Sequence, residues 1–124
     1  MNRIALVLLL VPSLASAERL IQGDKTATID CSKDPAVTIQ SGDGTFTFTG
    51  NCDKITVKGG TNTVTIENVK KLAIVGAGNK ATIAGVDKLA ITGSDNTVSY
   101  KGTVKGTGKP SVATIGTGNK IAKK

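Results

Sequence analysis

Apolar and polar residues alternate with a period of two through most of the chain after residue 42. This alternation is typical of β-strands with one buried face, because successive side chains of a strand point to opposite sides. The pattern also repeats, since GGTNTVTIENVKKLAIV is followed by GAGNKATIAGVDKLAIT and then by GSDNTVSYKG. Equivalent residues recur every 17 positions, including the corner residues Gly59, Gly76, Gly93 and Asn62, Asn79, Asn96.

Equivalent apolar positions in successive repeats predict columns of stacked, inward-facing side chains. A parallel crossover that contains a helix needs at least ~10 to 12 residues, and only nine residues separate Asn79 from the next apolar strand at Leu89. The sequence therefore predicts an all-β fold, a short right-handed parallel β-solenoid of about five coils of ~17 residues. The predicted columns are Phe46, Val64, Ala81, Val98; Phe48, Ile66, Ile83, Tyr100; Cys52, Val69, Val86; Ile55, Leu72, Leu89; and Val57, Ile74, Ile91.

One repeat imitates a nucleotide-binding motif. In LAIVGAGNKA an apolar strand runs into Gly-x-Gly-x-x-Ala, and Asp95 follows Gly76 by 19 residues, about where a dinucleotide-binding unit places its ribose-binding acid. Because the motif is one copy of a repeated corner with no room for a helix, we interpret it as structural. Glycine tolerates positive φ at such a corner and asparagine does so almost as well, and stacked asparagines up to Asn119 could form an amide ladder.

The first 17 residues have the features of an export signal. Arg3 lies before an apolar run over residues 4–11, and Ala15-Ser16-Ala17 is a small-x-small cleavage pattern. A membrane anchor is the weaker alternative, because the apolar run is far shorter than the ~20 residues that span a bilayer. We expect a single exported domain over residues 18–124, in the periplasm or outside the cell. It would comprise an irregular capping coil (18–41), regular coils (42–100), a loop (101–110) and a last coil (111–124).

Charge and composition narrow the functional classes. Residues 18–124 contain 15 basic and nine acidic side chains, which favours anionic envelope lipids or polymers, or an envelope protein, as partners; simple solubility is the alternative. With three aromatic residues the chain lacks the stacking platforms of nucleic-acid binding. It has no His and no Trp, so an enzyme, a metal site or a cofactor is not expected. Cys31 and Cys52 are expected to form a disulfide in an exported chain.

Three surfaces are candidates for binding. The first is a set of lysines, which we expect to hold an anionic ligand. The second is a flat outer strand face around Thr56, Ala73 and Ala90, which would serve a partner protein or self-association. The third is a Thr-x-Thr face around Thr63 and Thr65, which resembles those of ice-binding solenoids but is interrupted by Lys80. The candidate anion-binding residues are Lys54, Lys71 and Lys88, spaced by 17, with Lys101, Lys105 and Lys109 in the predicted loop.

Several features together resemble a known family. The GxxNTVT corners, the two-strand coils, the export signal and the early cysteines are similar to the bacterial domain-of-unknown-function family 3060, over roughly Gly42 to Asn119. The resemblance implies a small, exported or envelope-associated β-rich protein. That family has no established activity, so it supplies no catalytic residues.

Overall fold

The computed structural model describes residues 18–124, and the predicted export signal over residues 1–17 lies outside them. The described chain consists of strands and turns. Its nine strands are β1 (Arg19–Gln22), β2 (Thr26–Asp30), β3 (Ala36–Gln40), β4 (Thr45–Lys58), β5 (Thr63–Ala77), β6 (Lys80–Ser94), β7 (Thr97–Gly102), β8 (Ser111–Ile115) and β9 (Lys120–Lys123).

Every strand pairing is parallel, and each strand pairs with the strand one coil further along. The long strands β4, β5 and β6 bend, so that each contributes to two rows. The first row runs β2, β4, β5, β6, β7, β9, and the second runs β1, β3, β4, β5, β6, β8. The predicted parallel β-solenoid of about five coils is confirmed.

The predicted columns form the core. Phe46 pairs with Val64, and Ile55 pairs with Leu72; the same register continues into β6. All column members are buried except Tyr100, which is partly buried near the end of its column. Because one side chain in two along each strand points inward, the alternation in the sequence fixes which residues fill this narrow core.

Coil length varies more than the sequence repeat indicates. Successive coils from β5 to β7 are 17 residues apart, but Thr45 and Thr63 are 18 apart because the pairing shifts between Phe48 and Asn51. Gly50 lies in this bulge with a φ of 84°, and its amide donates to Glu67 Oε1 at 2.7 Å. β7 extends to Gly102, so the strand-free loop covers residues 103–110 rather than 101–110.

A ladder of asparagine side chains closes one corner of the solenoid. Asn62 Nδ2 donates to Asn79 Oδ1 at 3.1 Å, Asn79 Nδ2 to Asn96 Oδ1 at 3.1 Å, and Asn96 Nδ2 to Asn119 Oδ1 at 3.0 Å. Asn62, Asn79 and Asn96 are at most 1% exposed. Each Asn Nδ2 also donates to a backbone carbonyl one coil back, as from Asn79 to Gly59 O at 2.9 Å. The amide groups are therefore buried at little cost, because both ends are hydrogen-bonded.

The backbone at this corner corrects one expectation. Asparagine does not occupy the positive-φ position; the residue before it does, with φ of 56° at Thr61 and Asp95 and 72° at Gly78. The Asn side chain is instead placed inward by that turn, which leaves its own backbone amide free to donate up the ladder, as from Asn62 to Asn79 Oδ1 at 3.0 Å.

Cys31 and Cys52 are joined in a disulfide between the first two coils. The Cys31 amide donates to Thr49 O at 2.9 Å, which places Cys31 at the same corner as Cys52, and both side chains are buried. Beside them, the hydroxyl and amide of Ser32 donate to Asp30 Oδ1 at 2.7 and 3.0 Å. These bonds favour the ionised carboxylate, so the pKa of Asp30 is lowered.

Reducing this disulfide is expected to lower the free energy of unfolding by about 3 kcal/mol, because the bond closes a loop with a sequence separation of 21. Urea unfolding with and without dithiothreitol, followed by circular dichroism, measures the difference. A Cys31→Ala/Cys52→Ala variant is the control, since its midpoint should not respond to the reductant. Equal midpoints for the wild-type protein in both conditions would contradict the expectation.

Candidate functional site

Three lysines form a continuous line on the outer side of the second row. Lys54 pairs with Lys71, and Lys71 pairs with Lys88, on the adjacent strands β4, β5 and β6. All three side chains are exposed. The row continues with Ala36 on one side and Ser111 on the other. We call Lys54, Lys71 and Lys88 the lysine ridge.

The strand period explains why these lysines face solvent. Each ridge lysine directly precedes an inward, buried residue, which is Ile55, Leu72 or Leu89. Because side chains alternate along a strand, the preceding position must point outward. Neighbouring strands lie about 4.8 Å apart, so the backbone positions of the ridge lysines repeat at about that distance.

The ridge lysines are not neutralised by the ion pairs of residues 18–124. Those pairs are Arg19–Asp34 at 2.9 Å and Lys70–Asp53 at 3.6 Å. Asp53, Lys70 and Asp87 recur at a spacing of 17 with alternating charge, and this column forms an ion pair at one end only. At its other end Asp87 Oδ1 accepts a hydrogen bond from Val104 N at 2.9 Å, which anchors the loop over residues 103–110 rather than a lysine.

A shallow groove of about 220 Å³ runs beside the ridge. It is lined by two ridge lysines, Lys71 and Lys88, together with Ser111, Ala90 and Ala113. Alanine side chains are small, so a ligand beside these two lysines can approach the strand backbone closely. This groove could not be predicted from the sequence, because it depends on how β8 pairs with β6 after the loop.

The other three candidate lysines do not join the ridge. Lys101 lies in the first row, where it lines a separate groove with Thr49 and Glu67. Lys109 lines a cavity with Tyr100 and Lys123. Lys105 is exposed in the loop, next to Val104. These three lysines are close to the last regular coil in sequence, but they do not form one positively charged surface with the ridge.

The threonine face is aligned as the repeat indicates. Thr47, Thr65, Thr82 and Ser99 are in register across β4 to β7, and they line a groove of about 330 Å³ on the first row. Lys80 pairs with Thr63 and Thr97 in the neighbouring outer column and interrupts it. Ice binding by this face stays a prediction, which a thermal-hysteresis assay tests.

Two further findings concern metal binding and membrane-spanning helices. Within residues 18–124, no group of three or more His, Cys, Asp or Glu side chains lies close enough to hold a metal ion. In the same residues, no helix is long and apolar enough to cross a bilayer.

The chain matches one model of a protein family. The model described as "Protein of unknown function (DUF3060)" matches residues 39–85 and again residues 71–118, which together cover more than half of the chain. The chain belongs to this family. No curated protein and no solved structure matches it. The two DUF3060 matches overlap over residues 71–85, and together they contain the whole lysine ridge and the asparagines of the ladder up to Asn96. Cys52 lies inside the first match, whereas Cys31 lies outside both.

Proposed function

We propose that this DUF3060 protein is an exported, non-catalytic β-solenoid that binds a linear anionic polymer of the cell envelope along its lysine ridge. One observation carries the proposal: Lys54, Lys71 and Lys88 occupy the same register position on three adjacent strands. A linear polyanion carries charges at regular intervals, so several of its charged groups can meet this line of lysines at once.

Electrostatics favours a ligand at this surface. Two like charges held at the strand spacing would repel by roughly 1 kcal/mol in water, and the exposed lysine side chains reduce this repulsion by spreading apart. A bound polyanion replaces this repulsion with attraction. Because the ridge is exposed, salt screens the interaction over about 10 Å at 0.1 M, and binding should weaken as ionic strength rises.

The groove beside the ridge adds a shape that suits a chain-like ligand. Its lining residues Lys71 and Lys88, and likewise Ala90 and Ala113, are paired across adjacent strands, along the direction in which the coils stack. A polymer lying along this direction contacts one coil after another. A compact anion such as free phosphate would contact only one or two lysines and would gain less.

Composition and the disulfide support export and the absence of catalysis. Residues 18–124 contain no His and a single Arg, so the common acid–base arrangements are not available to them. The Cys31–Cys52 bond suits an oxidising compartment such as the periplasm or the exterior. Fractionation of cells that express the full chain, with N-terminal sequencing of the product, tests cleavage after Ala17.

Replacing Lys54, Lys71 and Lys88 together with Gln is expected to weaken binding to an acidic polysaccharide on the order of ten-fold or more, since three exposed charge contacts are lost. Co-sedimentation across a salt series measures the affinity. Peptidoglycan and vesicles of outer-membrane lipid, used in parallel, separate a polymer from a lipid source of the negative charge.

A variant with Lys80, Lys101 and Lys120 changed to Gln is the matched control. It loses the same net charge from exposed positions of the first row, away from the ridge. If both triple variants bind equally well, or equally poorly, net charge rather than the ridge governs binding and the proposal is wrong. Binding by the wild-type protein that does not respond to salt would also overturn it.

A further inference from the structure

β8 is more exposed than every other strand of the second row. Among residues 18–124 it pairs with β6 alone, and all five of its residues are exposed. Val112 continues the inward column of Leu89, yet Val112 is 45% exposed while Leu89 is 2% exposed. The core column at this position is therefore left half covered, and one backbone edge of β8 has no strand beside it in the described chain.

Two of the other three end strands carry inward charges that oppose further pairing; the third, β2, carries none, but its inward Ile29 is fully buried. In β9, Lys123 occupies the column of Tyr100. In β1, Arg19 pairs with Val37 in an inward column and forms an ion pair with Asp34 at 2.9 Å. Inward-pointing charges on an end strand disfavour the addition of another strand. β8 has the sequence SVATI, with no charged residue, so it is an end strand that lacks this protection.

The positive charge around β8 favours an acidic partner. Residues 101–124 contain six lysines and no acidic side chain. At the same end of the solenoid, Tyr100, Lys109, Pro110 and Lys123 line a cavity of about 250 Å³. A strand that carries carboxylates gains from this positive field, whereas a neutral or basic strand does not.

A second copy of this chain fits β8 poorly. Two copies meeting through their β8–β9 ends would bring the two lysine-rich segments together. Stacking β1 and β2 of one copy onto β8 and β9 of another, in the register of the existing coils, would place Arg19 over Val112 and Ile29 over Lys123. Each arrangement sets a charge against a like charge or against the apolar core, which is costly.

We propose that β8 binds an extended acidic segment of another protein by β-strand addition. The added segment pairs its backbone with the free edge of β8, covers Val112 with an apolar side chain, and directs alternate carboxylates toward the lysines of this end. Backbone pairing supplies affinity and the alternation of apolar and acidic residues supplies specificity. The free edge of β8 adjoins the groove at Lys71 and Lys88, because Ser111, Val112 and Ala113 also line that groove. Strand addition at this edge nevertheless does not depend on the ridge binding a polymer.

Fluorescence anisotropy of a labelled peptide, Glu-Val-Glu-Val-Asp-Val-Glu, tests the inference with the exported, purified protein. Val112→Lys places a charge in the inward column of β8 and is expected to weaken binding about ten-fold or more. Val75→Lys is the matched control, because Val75 is 43% exposed but lies in β5, which has strands on both sides. The Lys54, Lys71 and Lys88 triple Gln variant should lose less affinity for the peptide than Val112→Lys does, because Lys88 is separated from an added strand by β8.

A second peptide with the central Val replaced by Pro keeps the charge but cannot pair its backbone, so it should bind at least about ten-fold more weakly. Slower hydrogen exchange at the β8 amides when the first peptide is added would locate the contact. Equal binding of the two peptides, or equal binding by Val112→Lys and wild type, would overturn the inference. So would sedimentation of the protein alone as a dimer or larger species that Val112→Lys dissociates, since β8 would then be covered by a second copy.

Discussion

Replacing Asn79 with Asp is expected to lower the free energy of unfolding by about 4 kcal/mol, a large share of the ~5–15 kcal/mol that stabilises a small domain. Asn79 is 1% exposed. Its Nδ2 donates to Gly59 O at 2.9 Å and to Asn96 Oδ1 at 3.1 Å. An Asp carboxylate places an acceptor oxygen in front of these two acceptors, so both bonds are lost and a negative charge is buried.

The ladder offers its own matched control. Asn119→Asp makes the same chemical change at a partly buried position, where among the described residues Nδ2 donates only to Gly93 O at 3.0 Å. One donor bond is lost instead of two, so we expect about half the destabilisation, near 2 kcal/mol. Urea unfolding of both variants, with the slope of the transition checked against wild type, measures the two values. Equal losses of unfolding free energy at Asn79 and Asn119 would show that the burial of each asparagine does not determine how much it stabilises the protein.

The core could be predicted from the sequence because its determinants are local. In a strand such as Thr63–Ala77, the apolar residues Val64 and Ile66 alternate with polar ones, and the alternation alone assigns their side chains to the inner face. The 17-residue repeat then specifies which residues stack, since equivalent residues of successive coils must lie in register. The same two facts place Lys71 beside Lys54 and Lys88, so the candidate ridge also follows from spacing.

Features that depend on where an extra residue or a longer loop is inserted between coils could not be predicted in this way. The extra residue of the first regular coil is absorbed at Gly50, and the loop after β7 returns the chain to β8 rather than extending the ridge. Lys101 and Lys109 lie close together in sequence, yet they line different cavities. The exposure of β8 has the same origin. SVATI has the composition of an ordinary core strand, and only the pairing of the last coils shows that Val112 is half exposed.

The role of the corner glycines was predicted only in part. Positive φ was expected and is present, with 128° at Gly59, 144° at Gly76, 134° at Gly93 and 120° at Gly116. The close approach between coils was not expected. A Cβ built on Gly76 would overlap the carbonyl oxygen of Gly59, and the same overlap recurs at each of these corners. These contacts join residues between 17 and 23 positions apart, so local sequence patterns do not reveal them.

Gly76→Ala is therefore expected to destabilise the protein by at least about 3 kcal/mol, because the methyl group meets backbone atoms that cannot rotate away and Ala also adopts this φ at a cost. The effect extends to the ladder. Gly59 O, which the new methyl group displaces, is the acceptor for Asn79 Nδ2 at 2.9 Å. Thermal and urea unfolding of the variant measure the loss.

Gly102→Ala separates this mechanism from a general cost of replacing glycine. Gly102 has no positive φ, and a Cβ there meets no atom within 4 Å, so Ala should leave stability unchanged or raise it slightly. A Gly76→Ala/Asn79→Ala double variant then tests the shared carbonyl. Since both single changes disturb the hydrogen bond to Gly59 O, their losses should sum to more than the loss in the double variant. Strictly additive losses would mean that the glycine corner and the asparagine ladder stabilise the stacked coils independently.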